Sequence, residues 1–301
     1  MVGFDFSRRS SLTMGAASLL GAHGLRSADA QAAPGLPLDD PKAMTRIRAK
    51  VMGSTVEEPV YTYLRLHIYG YRHDGNLVPF YTMSNLNIRR WMPQADGGFK
   101  AKVYECGTLT KFDSEEPLNE WENPFTGQKI KVWNFLAGPL NLAIAADGTM
   151  GTGPEATVKP KPQNFEVIGG TVFMPQASAF SYPNPFQPKE WPKESSGEKS
   201  YWDSHYLFTA KLTDVLDPKV TNAPATVQLQ NFVTWSYWTR MGQQPGRTWG
   251  RGFGSKIASL DELPKTVRSE MEKKTPKIFE TATWTELVNE TEEYKKSHAP
   301  G

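Results

Sequence analysis

The chain carries a single cysteine, Cys106, so no intramolecular disulfide can form and stability has to come from packing. It has five histidines, and no two of them, nor any with Cys106, stand at the spacing of metal ligands, so no metal is expected. Neither sign of charge dominates: the formal net charge is +2, which gives no reason to expect a nucleic acid or an anionic membrane surface as partner. No apolar run reaches the roughly 20 residues that a bilayer span requires, which argues against stable membrane insertion. No glycine-rich phosphate loop follows a strand, and there is no nucleophile elbow and no dinucleotide fingerprint, so no nucleotide cofactor is implied. Gly250-Arg-Gly-Phe-Gly254 has no following helix, and its glycines fit strand bending or close ring packing instead.

What the chain does have begins at Arg8-Arg9, followed by a weakly apolar, Ala- and Gly-rich run from Leu12 to Leu25 and the small-residue sites Ala28-Asp-Ala30 and Ala30-Gln-Ala32. A basic start, a short apolar middle and such an end predict a secretory signal over residues 1–32, and the arginine pair makes it a twin-arginine signal. The expectation is a periplasmic protein cleaved near Ala33, with the twin-arginine machinery as an export partner. That route carries folded proteins, which suits a chain with one thiol. Residues 33–301 are long enough to bury about three quarters of the surface of their unfolded chain.

The mature part reads as mainly β. A helical lead over 39–52 is opened by Asp39-Asp40-Pro41. From Val60 the period is two: Tyr61, Tyr63, Arg65, His67, Tyr69 and Tyr71 share one face, and Leu64, Leu66 and Ile68 the other. Further strands are expected at Leu77–Arg90, Phe99–Phe112, Gln128–Phe135, Phe165–Met174, Ala177–Tyr182, Tyr201–Thr213, Thr226–Arg240 and Arg247–Ile257. Asp74-Gly-Asn, Asp96-Gly-Gly, Gly127 and Asp147-Gly supply turns, with His73 in the first of them. Ser259-x-x-Glu262 and Thr283-x-x-Glu286 have capping-box spacing, so helices are expected over 259–297. The expected architecture is one antiparallel barrel or closed sandwich, strands over 60–257, with the C-terminal helices outside or at one end.

The ring-rich strands carry the candidate chemistry. Asp203 and His205 fall two residues apart on one strand face, near enough for the carboxylate to orient the imidazole as a base. Tyr69 and Tyr237 are candidate proton donors and Arg240 a candidate for holding developing charge. His67, Glu105, Trp121, Tyr182, Trp235 and Trp238 are candidates for binding a substrate. Each has a bland alternative as a satisfied core or surface residue. Polar groups recurring among rings on covered faces need partners or a ligand, so Tyr69, Asp203, His205, Tyr237 and Arg240 are expected to converge on one cavity. Cys106, in a strand-like run, reads as a buried small hydrophobe.

Four stretches carry a resemblance: Trp121-Glu-Asn-Pro-Phe-Thr-Gly127, Tyr182-Pro-Asn-Pro-Phe186, Trp235-Ser-Tyr-Trp238 leading to Met241-Gly242, and Pro245-Gly-Arg247. In this order, and over about Tyr69 to Trp284, the chain resembles the bacterial domain of unknown function 1838 family. The family's members often carry twin-arginine signals, and its likeness to calycin-like barrels is one of architecture, which implies no activity. Asn123 and Asn184, each before a proline, are expected to form turns. Two functions remain open. One is a cofactor-independent enzyme of lyase, isomerase, hydratase or cyclase type acting on a hydrophobic or aromatic small molecule. The other is a periplasmic lipocalin-like binding protein for an apolar ligand. An oligomer is possible for either.

Overall fold

In the computed structural model the described residues are 35–73, 75–152 and 165–299; the signal segment and Asp74 of the His73 turn lie outside them. Residues 35–301 form one compact unit. It opens with helix α1 (Pro41–Met52), where Asp40 accepts a hydrogen bond from Ala43 N at 3.0 Å and Pro41 takes the first helical position. Both features are legible in the sequence.

A ten-stranded sheet follows, antiparallel throughout. Its strands are β1 (Pro59–Tyr71), β2 (Val78–Pro93), β3 (Phe99–Thr110), β6 (Phe135–Ile144), β7 (Met150–Thr152), β8 (Glu166–Ile168), β9 (Thr171–Pro183), β10 (Lys199–Lys211), β11 (Ala225–Val233) and β12 (Arg247–Ile257). They lie in the order β7-β6-β3-β2-β1-β12-β11-β10-β9-β8. The short strands β4 (Glu120–Glu122) and β5 (Lys129–Lys131) make a separate hairpin. The sheet curls into a half-barrel, consistent with a calycin-like barrel, and helix α2 (Leu212–Leu216) follows β10.

Alternation sorts the two faces. Leu64, Leu66 and Ile68 of β1 point to the concave side, with Phe208, Val227 and Leu229 from β10 and β11 in the same core. On the convex side, Leu86, Ile88, Tyr104 and Cys106 of β2 and β3 are covered by Leu263 and by Val267 and Met271 of helix α3 (Lys265–Lys274). Helix α3 therefore packs outside the sheet, one of the two placements expected for the C-terminal helices. Helix α4 (Glu290–Ser297), capped by Asn289, brings Tyr294 against Tyr237 at 4.8 Å between ring centroids.

The pairing of β1 with β12 depends on residues without a Cβ. Gly250, Gly252 and Gly254 of β12 sit opposite Ile68, Leu66 and Leu64 of β1. A Cβ on Gly252 would come within 2.1 Å of Arg65 O, and one on Gly254 within 1.8 Å of Tyr63 O. Only glycine allows the two backbones this approach.

Several elements differ from their sequence reading. Of the strand expected over Gln128–Phe135 only Lys129–Lys131 forms, as β5; residues 132–134 leave the sheet and Phe135 opens β6. The strand expected over Thr226–Arg240 ends at Val233; the chain then makes a single 3-10 turn, Tyr237–Thr239, and Arg240 adopts φ 53°. Burying Trp235 and Trp238 in one ring cluster requires that turn, because a continuing strand would place them on opposite faces. The two strands expected at Phe165–Met174 and Ala177–Tyr182 are a β8–β9 hairpin about Gly169-Gly170, with β9 running through Pro175. Thr283 caps no helix; its hydroxyl donates to Glu280 O. By contrast Ser259 and Glu262 form the expected capping box, around the 3-10 turn Leu260–Glu262.

Candidate functional site

The concave side of the sheet encloses a cavity of about 370 Å³, within the size range of small-molecule sites. Much of its lining is hydrocarbon, from Leu64, Leu66, Met83, Leu109, Phe135 and Leu229. The rings of Tyr81 and Trp238 line it too, 5.4 Å apart and both in contact with Trp121. Trp202 lines another wall and stacks on Phe180, which is 54% exposed. The apolar lining thus runs out to the protein surface.

Four polar side chains gather in this apolar setting. Asn87 on β2 and Glu105 on β3 are direct cross-strand partners, and the Asn87 amide donates to the Glu105 carboxylate. Arg89, two residues along β2 on the same face, donates to Met52 O at the end of α1 (3.0 Å). Tyr206 of β10 lines the same cavity and is coupled electrostatically to both Glu105 and Arg89. Burial raises the Glu105 carboxyl above the ordinary carboxylate range, opposed by the Arg89 charge and the Asn87 hydrogen bond. Burial also raises the Tyr206 phenol, which stays protonated at neutral pH, and it lowers the Arg89 guanidinium.

A second pair sits elsewhere on the wall. Tyr237 Oη donates to Glu290 Oε1 at 3.0 Å. Burial moves the Glu290 carboxyl up to about 7, with the Tyr237 hydrogen bond opposing the rise, and pushes the Tyr237 phenol upward as well. Glu290 and Trp133 also line a neighbouring surface pocket, so this pair stands in the partition between cavity and exterior.

The expected convergence of Tyr69, Asp203, His205, Tyr237 and Arg240 does not occur. Of the five, only Tyr237 lines the cavity. Asp203 and His205 are exposed on the convex face, opposite Phe232 and Gln230 of β11. Tyr69 is also on that face, beside Trp249 and under the guanidinium of Arg251. Arg240 lies in the loop after the 3-10 turn, its Nε 3.1 Å from the buried carboxylate of Glu194. Among the binding candidates, Glu105 and Trp238 line the cavity, whereas Trp121 and Trp235 are buried in the ring cluster behind it. His67 pairs with Asp113 at 3.2 Å on the convex side, and Tyr182 is 44% exposed near the end of β9. The reason is common to the misplaced residues: alternation says which side chains share a face, but the concave side takes the face with more hydrocarbon, and the faces holding Asp203, His205 and Tyr69 turn outward.

Asn87, Arg89 and Tyr206 were missed. For Asn87 and Arg89 the signal in the sequence is a polar residue at every second position of one strand, Asn85, Asn87 and Arg89, whereas Tyr206 shares a strand face with Trp202 and Phe208. The two Asn-Pro turns form as expected: Asn123 Oδ1 accepts from Phe125 N (2.9 Å) and Asn184 Oδ1 from Phe186 N (3.0 Å).

A family model described as "Protein of unknown function (DUF1838)" matches residues 58–296, and so takes in every strand and the cavity wall from β1 to Glu290. The chain belongs to the DUF1838 family. No curated protein matches it. A chain from "The complex structure of Pseudomonas aeruginosa MucA/MucB" is 7% identical over 73% of this chain and 94% of that one, with a TM-score of 0.12, a likeness too slight to support any argument.

Proposed function

We propose that this DUF1838 protein is a cofactor-independent acid–base enzyme of lyase or isomerase type, acting on a hydrophobic small molecule held in the half-barrel cavity. The observation that carries the reading is the Glu105 carboxyl, raised by burial and set among Asn87, Arg89 and Tyr206 in a cavity lined largely by hydrocarbon and rings. A base with a raised pKa is better matched to proton transfer near neutrality than an ordinary carboxylate. In its ionised form Glu105 takes a proton from a carbon next to a substrate carbonyl. The electron pair moves onto the carbonyl oxygen, where the Tyr206 hydroxyl donates a hydrogen bond and Arg89 offsets the charge. Return of the proton to a different carbon completes an isomerisation; loss of a leaving group from the neighbouring carbon completes an elimination.

A binding protein for an apolar ligand is the second reading. It is favoured by the way the cavity's polar groups pair with one another, Asn87 with Glu105 and Tyr237 with Glu290. One experiment separates the two. Purified protein is incubated with a lipid-soluble extract of its host cell, and the mixture is followed by mass spectrometry beside the Glu105→Gln and His205→Ala variants. Acid–base catalysis predicts a compound consumed by the wild type and by His205→Ala, and left intact by Glu105→Gln, a loss on the order of 100-fold or more. A compound retained unchanged by all three proteins would instead make this a carrier.

A further inference from the structure

The two long borders of the sheet are finished differently. On the β6 side, strand β7 pairs only with Leu142–Ile144, but the remainder is blocked: Pro139 has no N–H to offer, and Gly138 O accepts from Val288 N at 2.9 Å. On the other side, strand β8 pairs with Thr171–Phe173 of β9 and goes no further. From Met174 to Pro183, β9 is hydrogen-bonded to β10 alone among the described residues. Among the described residues, about every second backbone N–H and C=O along that outer edge has no partner.

Between Pro175 and Pro183, which have no N–H to offer, nothing in that stretch discourages pairing. Met174-Pro-Gln-Ala-Ser-Ala-Phe-Ser-Tyr-Pro183 contains no charged side chain, and residues 177–183 are exposed on both faces. Proteins ordinarily blunt such an edge with lysine, a bulge or a covering segment.

We propose that the β9 edge is where two copies of this chain join, strand to strand and antiparallel about a two-fold axis near Ala179. The edge is self-complementary in that arrangement. Ala177, Ala179 and Ser181 present one small, flat face. On the other face Phe180 falls opposite Ser178 of the second copy and Tyr182 opposite its Gln176, so each ring meets a smaller side chain. The absence of charge matters most here, since at a two-fold axis any charge faces its own copy. The pairing also bears on the cavity: Phe180 stacks on the cavity-lining Trp202, and Tyr182 lies 6.1 Å from Phe180, so the partner's strand continues the ring-lined wall at the cavity mouth. This inference concerns assembly and holds whether the cavity catalyses or carries.

Sedimentation velocity and light scattering on the mature chain should give a dimer. Ala177→Lys combined with Ala179→Lys, at two exposed positions, should give a monomer with an unchanged circular dichroism spectrum. Register is read by single cysteines placed at 177–181. Cys106 is buried, so only the new thiol is accessible, and under mild oxidation Ala179→Cys should form a covalent dimer more readily than its neighbours. A wild type that stays monomeric at every concentration would overturn the proposal. So would a dimer that survives the lysine pair while no position from 177 to 181 cross-links.

Discussion

At the scale of single residues, the cavity wall contains two carboxyl groups whose surroundings pull in different ways. Burial raises both: Glu105 has a cation and an amide to oppose the rise, Glu290 only the Tyr237 hydroxyl. The second case has a consequence for stability. With its folded pKa raised to about 7 from an ordinary 4.5, Glu290 holds its proton more tightly in the folded chain than in the unfolded one. Its contribution is fully present below about pH 4.5, declines as pH rises, and is gone above about pH 7. Replacing Glu290 by Gln keeps an acceptor for Tyr237 and removes the titration. In urea titrations from pH 5 to pH 8 the wild type should lose stability relative to Glu290→Gln, and the variant should be the more stable of the two at pH 8. Parallel curves for the two proteins would show that the carboxyl is solvated.

Elements owe their shape to a few residues whose chemistry is visible in the sequence but whose purpose is not. Gly252 and Gly254 are readable beforehand as sites of bending or close approach; that they face inward against the backbone of β1 is known only from the register. Gly254→Ala should destabilise the fold by about 2 kcal/mol, since the added methyl meets main chain that cannot rotate away. Gly75→Ala, where nothing lies within 4 Å of the added carbon, is the control and should change little. Equal urea midpoints for the two variants would mean that the sheet relaxes freely at β12. Lys256, next along the same strand, donates to Lys50 O, Gly53 O and Ala223 O and so closes the end of α1. Burial, helped by the nearby Arg89 charge, lowers its pKa to about 7, against the pull of Glu58.

For the whole molecule, one buried thiol and no disulfide leave stability to two hydrophobic clusters, one inside the curl and one beneath α3. Such a chain reaches its native state without an oxidising compartment, which accords with the expected export of a folded protein. Replacing Arg8 and Arg9 together by Lys should hold the precursor in the cytoplasm, as read by fractionation and immunoblot; undiminished periplasmic protein would discount the twin-arginine route.

The sequence by itself determined which residues alternate, where α1 begins, which glycines and Asn-Pro pairs turn or bend the chain, and that the product would be one antiparallel β fold with helices after it. Those are local matters, governed by dihedral preference and by a period of two. It could not determine which face of each strand would become the inside. That choice depends on how much hydrocarbon ten strands together can remove from water, and on helix α3 covering the convex face of β2 and β3. His205 and Asp203 were conspicuous in the sequence and ended outside. Asn87, Arg89 and Tyr206 were inconspicuous and came together around Glu105 across three strands, because the curl of the sheet brings the inner faces of β2, β3 and β10 to one cavity.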